Sequence, residues 1–171
     1  MSYTTYKKIA SVTVGVTSQL SLDFTNIPAT YTDLLLLAST RDDRGADFTA
    51  MTLQFNDATT NFSWRSLIGN GTSAASYNGT NTTIFDGNNA TNSTTSTFSS
   101  VYIYIPNYAG STNKSFYVDA VSENNATLAW TNLLAGLWSN TAAITKVSLL
   151  LSGTIKFVQH SSATLYGIRK S

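Results

Sequence analysis

The chain has 171 residues, 42% of them hydrophobic and 11% charged, with a net charge of +1, one histidine and no cysteine. That length supports one domain with a substantial core, read here as a single unit over 1–171. The near-neutral balance excludes long-range attraction of nucleic acid or of an anionic membrane, and the residue counts exclude disulfides, thiolate chemistry and cysteine- or histidine-built metal centres.

Charged residues are less than half the usual quarter, so the exterior must be built from Ser, Thr and Asn. The N-terminal stretch MSYTTYKKIASVTVGV alternates from Val12 through Val14 to Val16. Ser11, Thr13, Gly15 and Thr17 interrupt its apolar character, which predicts a strand and not a secretory segment. LSLDF (20–24) alternates likewise, and Asn26, Pro28 and Thr30 then form a turn signal, because proline fixes its own φ and pushes its neighbour toward extended geometry. The apolar run from Leu34 to Ala38 is far shorter than the roughly 20 residues of a membrane-spanning helix. It predicts a fully buried strand.

Further runs of alternating apolar residues follow at MTLQF (51–55), VYIYI (101–105), SFYVDAV (115–121), ATLAW (126–130), KVSLLL (146–151), TIKFV (154–158) and TLYGI (164–168). Each is short, rich in β-branched and aromatic residues, and bounded by turn formers. No window keeps a helical period for three turns. TLAWTNLLAGLW (127–138), interrupted at Gly136, allows at most a short helical turn. Many short strands without intervening helices predict an all-β protein, and the strand count fits a jelly-roll-like antiparallel β-sandwich. An immunoglobulin-type sandwich is the competitor, although its usual buried cysteine pair is missing.

Residues 70–100 are dominated by Asn, Gly, Ser and Thr, with Asp86 as their single charge. They predict one long loop-like excursion from the sandwich, with a small strand around Ile84, anchored by Tyr77, Ile84 and Phe85.

The chemistry of an enzyme is missing. His160 lies in VQHSSATL, where neither Ser161 nor Ser162 has a nucleophile-elbow sequence around it. Asp119 and Glu123, four residues apart on an extended strand, would be separated by roughly 13 Å, beyond the spacing of about 5–9.5 Å that glycosidase carboxyls use. The segment Arg41-Asp42-Asp43-Arg44-Gly45-Ala46-Asp47 concentrates charge, but its two arginines oppose a cation, and it reads as self-paired charge on a hairpin tip. Arg41, Asp42, Asp43 and Arg44 are the candidates for salt bridges between subunits. No catalytic, metal-binding or cofactor-binding residue is assigned. Aromatic side chains serve core and interfaces because each buries roughly 150–250 Å². The Tyr102/Tyr104 side of VYIYI is the candidate outward aromatic surface. Tyr3, Tyr6, Tyr77, Ile84, Phe85, Trp130 and Trp138 are the candidate interface residues.

A spaced set of residues runs nearly the length of the chain: Tyr6, Ile9 and Ser11; FTNIPATYTDL (24–34); Phe55-Asn56; NFSWR (61–65); Leu67, Gly69 and Gly71; and LYGI (165–168). In this order the set resembles small virion proteins of tailed bacteriophages. The resemblance implies a structural protein without catalytic residues, similar to the jelly-roll cement or decoration proteins that sit as trimers on the head shell. Its implied partners are further copies of itself and the major capsid protein, and its implied location is the virion, assembled in the host cytoplasm. The alternative it leaves open is a tail-fibre or spike subunit that binds host glycans.

Overall fold

The computed structural model describes residues 5–125 and 128–169. Among them the chain forms twelve strands and no helix: β1 Tyr6–Thr13, β2 Ser21–Phe24, β3 Asp33–Thr40, β4 Phe48–Phe55, β5 Phe62–Gly69 and β6 Ala74–Asn81, then β7 Thr83–Asn89, β8 Ser99–Pro106, β9 Lys114–Ser122, β10 Trp130–Trp138, β11 Val147–Leu151 and β12 Ser162–Ile168. They build an eight-stranded sheet in the order β1-β12-β3-β8-β9-β10-β5-β6 and a four-stranded sheet in the order β2-β11-β4-β7.

The order is that of a jelly roll with two additions. Strands from the two halves of the chain pair as β1 with β12, β2 with β11, β3 with β8 and β4 with β7, all antiparallel. These four pairs are the double ribbon that rolls into two facing sheets. The β5–β6 hairpin is inserted between β4 and β7, and the β9–β10 hairpin between β8 and β11. Both insertions join the same sheet beyond β8, which widens it to eight strands. The sequence expectation of an all-β sandwich therefore holds.

Alternation places the core. Leu34, Leu36 and Ala38 of β3, Val101, Ile103 and Ile105 of β8, and Phe116, Val118 and Ala120 of β9 point inward, where they meet Leu53, Phe55 and Leu149 from the smaller sheet. Phe55 sits among Phe62, Phe116 and Trp138, with ring centroids 5.2 to 5.8 Å away. Across the widened part of the sheet, an inner row alternates ring and glycine: Phe116, Gly136, Trp64 and Gly79 are successive cross-strand partners. A Cβ on Gly136 would lie 2.2 Å from the Phe116 ring, and one on Gly79 would lie 2.6 Å from Trp64. The aromatic rings occupy the room that the glycines leave.

One end of the interior is polar. Thr40, Asp42, Asn88, Asn89, Ser99 and Ser122 are all buried. Thr40 and Ser99 share a hydroxyl contact of 2.9 Å, Ser122 donates to Asn89, and Asn88 donates to Asp42. Buried polar groups persist only when paired in this way.

Three expectations need correction. Residues 70–100 are not one excursion with a single small strand: β6 and β7 take up about half of the segment, and residues 90–98 connect β7 to β8. Main-chain pairing of β6 with β5 over Ala74–Asn81 supplies what the composition does not advertise. The run ATLAW (126–130) is no strand at its described residues 128 and 129. From Trp130 the chain is strand β10, paired along its length with β9 and with β5. TIKFV (154–158) is no strand either; Phe157 makes isolated bridges to Gln19 and Asp42 while its ring fills the core.

Candidate functional site

The outer face of the eight-stranded sheet carries the feature that the fold itself does not use. The pairing registers align the outward side chains in two neighbouring rows. The first runs Lys8, Tyr166, Leu35, Tyr104, Tyr117, Ala135, Arg65 and Asn78 from β1 to β6. The second runs Ser11, Thr164, Leu37, Tyr102, Asp119, Leu133, Leu67 and Ser76 across the same strands.

Large apolar side chains on this face meet solvent. Leu67 is 55% exposed, Leu133 53%, Leu37 39% and Tyr117 39%. Tyr6, at the β1 end, is 54% exposed and lines a shallow apolar groove with Leu35, Leu37 and Tyr166. Scattered surface leucines need no explanation, whereas a contiguous apolar band marks an interaction site.

At the centre stand three tyrosines. Tyr102 and Tyr117 stack with centroids 5.8 Å apart and planes 18° apart, and Tyr104 tilts against Tyr117 at the same distance. Tyr104 donates to Asp33 at 2.8 Å, and the other Asp33 oxygen accepts from the Asn107 amide. Desolvation, and then the Asp33 bond, push the Tyr104 hydroxyl up to about 12. Desolvation, with the Tyr117 hydroxyl beside it, also raises Tyr102. The Tyr102 and Tyr104 phenols stay neutral hydrogen-bonding groups at any physiological pH.

The sequence-predicted residues fall in several places. Tyr3 lies outside the described residues. Tyr6 joins the outer face. Tyr77 (51% exposed) lies on β6, and Ile84 (43% exposed) on the outer side of the four-stranded sheet. Phe85 and Trp138 need correction as interface candidates: they are 1% and 2% exposed, because alternation turns both into the core. Trp130 is half-buried against Phe48, with centroids 4.7 Å apart. It borders a cleft of about 550 Å³ shared with Gly69, Gly71, Glu123 and Thr131.

The charge cluster also departs from expectation. Residues 41–47 form a corner between the two sheets, not a hairpin tip, since β3 and β4 belong to different sheets. Arg41 turns inward and donates to the carbonyl oxygens of Thr91, Ser93, Thr94 and Thr97 at 2.9 to 3.3 Å. Asp42 is fully buried and accepts from Asn88 and from the Arg44 amide. Asp43 accepts from the Lys156 amide at 2.9 Å. Among the described residues the ion pairs join Lys146 to Asp23 and Asp57, so the cluster is not self-paired. Neither Arg41 nor Asp42 is placed to reach a neighbouring subunit. Arg44 alone of the two arginines points its side chain to solvent.

Among the described residues no acid–base constellation is assembled. His160 is an exposed turn residue at φ 75°, and Asp119 faces outward from β9. No group of three or more His, Asp or Glu side chains among the described residues is gathered to hold a metal ion.

The leucines Leu37, Leu67 and Leu133 were not singled out from the sequence as outer-face residues, although DLLLLAS hinted at Leu37 by being apolar on both sides. Its full burial holds at Leu34, Leu35 and Leu36 and fails at Leu37. No protein-family model, no curated protein and no solved structure matches this chain.

Proposed function

We propose that the chain is a structural virion protein of a tailed phage, a capsid decoration subunit that binds and stabilises the assembled head shell. The observation that carries this reading is the outer face of the wide sheet, with its exposed Leu37, Leu67, Leu133, Tyr6 and Tyr117. A charge-poor protein with a broad apolar band is built to be covered. A subunit that binds only the assembled shell stabilises that state by linkage, in proportion to its affinity and concentration.

The outer face suits a contact with further copies, and a second strip suits the shell. Strand β6 forms one edge of the wide sheet, and the chain from Ser66 to Phe85 has neither charge nor proline. Its register with β5 runs unbroken from Ala74 to Asn81. Natural edge strands carry charges, prolines or bulges against strand addition, and β6 has none. Major capsid protein is the partner for this edge.

The receptor-binding alternative draws on the three central tyrosines. Their orientation counts against it: Tyr102 and Tyr117 stack on each other, which takes up one face of each ring that a sugar could stack upon.

The test is to locate the protein on native particles by electron microscopy and to add purified chain to shells that lack it. Saturable binding that raises the disruption temperature of the shells is expected. Chain that ignores assembled shells but binds a glycan array would replace this reading with the receptor-binding one.

A further inference from the structure

We infer that the outer face of the eight-stranded sheet closes on the same face of a second copy, about a two-fold axis that runs parallel to the strands between β8 and β9. The inference takes its biological purpose from the assembly reading and its form from the arrangement of the face.

Two-fold rotation about that axis lays each strand over the one equally far from the midline and keeps the rows in step. Tyr104 then meets Tyr117 of the second copy, Tyr102 meets Asp119, Leu37 meets Leu133, and Tyr166 meets Arg65. These are partners by the strand order and the registers. Each match is chemically sound. A phenol meets the carboxylate of Asp119, which has no partner of its own among the described residues. Leucine meets leucine. The guanidinium of Arg65, bonded within the chain to the Trp64 carbonyl, gains an aromatic ring to lie over. Lys8 falls on Asn78 and not on another cation. No like charges are opposed, as an isologous contact requires.

The size agrees. Seven strand spacings of about 4.8 Å and strands of about 26 Å give a face of roughly 900 Å². A stable complex buries about 800 Å² on each partner. A two-fold contact of one face with itself joins copies in pairs, not in the threes that the phage resemblance implies.

Light scattering on the purified chain reads the pairing directly: twice the mass of one chain is expected, and a monomer or a trimer overturns the inference. Leu133→Glu changes a half-exposed residue away from the core and is expected to weaken pairing by about 100-fold, with the circular dichroism spectrum unchanged. A folded Leu133→Glu dimer as tight as the wild type overturns it. Because the chain has no cysteine, a mixture of Leu37→Cys and Leu133→Cys chains offers a second readout with a short bifunctional maleimide. Covalent dimers are expected from the mixture and not from either chain alone. Cross-linking within either single variant, or none in the mixture, overturns the geometry. A dimer that ignores shells defeats only the decoration reading, and a monomer that decorates shells defeats only the pairing.

Discussion

Arg41 donates from Nη1 to the carbonyl oxygen of Thr97 at 2.9 Å, joining the corner between the two sheets to the connection that leads from β7 to β8. The same side chain reaches Thr91, Ser93 and Thr94, so one guanidinium organises nearly the whole of that connection. Its own amide and carbonyl are held by the Ser161 hydroxyl. A planar fork with five N–H groups can serve several carbonyls at once, which an ammonium cannot.

Arg41→Ala is therefore expected to lower stability by about 2 to 3 kcal/mol, the scale of lost hydrogen bonds to a charged donor. Arg41→Lys should recover less than half of that. Urea denaturation checks both, read as a shift in midpoint at unchanged slope. Equal midpoints for wild type and Arg41→Ala would show that the connection holds itself.

Asp42 is expected to make stability depend on pH. Desolvation by burial raises its carboxyl above the ordinary value of 3.8, against the lowering effect of bonds from the Arg44 amide and Asn88. A raised folded value means that the native state holds the proton more tightly than the unfolded chain. The resulting stability is fully present below 3.8 and is lost as pH rises through the folded value. The advantage of wild type over Asp42→Asn should be largest in acid and shrink toward neutrality. Urea midpoints of both proteins over a pH series measure it, and a pH-independent difference would refute the assignment.

Gly136→Ala is expected to cost about 1 to 3 kcal/mol, as overpacking of a full interior does. The new methyl would lie 2.2 Å from the Phe116 ring, which is buried and cannot swing to solvent. Shrinking the ring with Phe116→Leu in the same chain should make the added methyl less damaging. The double-mutant cycle checks this, with a coupling of at least about 0.5 kcal/mol expected between residues in contact.

Lys114 is 1% exposed, and its ammonium donates to the carbonyls of Gly110, Thr112 and Thr141. Burial lowers its pKa. Lys114→Met keeps the aliphatic stem and leaves the carbonyls without their donor, so a loss of about 2 to 3 kcal/mol is expected. Hydrogen exchange should quicken first at the loop amides 107–113, before the strands on either side. Uniform loss of protection would instead place the lysine in the global fold.

Much of this architecture is written locally. Alternation marks β2, β4, β8, β9, β11 and β12 within a few residues, because a pleated strand sends successive side chains to opposite faces, and a short apolar run marks β3. The expectation of a chain without catalytic residues is equally local, since it rests on residue counts and spacing. What alternation cannot encode is which face is covered. Leu133 and Leu134 are the same residue type one position apart, yet one meets solvent and the other is fully buried. Phe85 and Trp138 looked no different from Tyr6 or Tyr77 until the sheets were stacked. Strand β6 has weak intrinsic preference for sheet and forms because β5 offers it an edge, a context no short window contains. Asp42 and Arg41 likewise read as surface charge, and only the meeting of β7, the following connection and the inter-sheet corner drew them inside. The residues alone established the period and the chemistry of each strand. Depth, partners and the apolar outer face were settled by pairings between residues far apart in the chain, because burial is a property of what lies opposite.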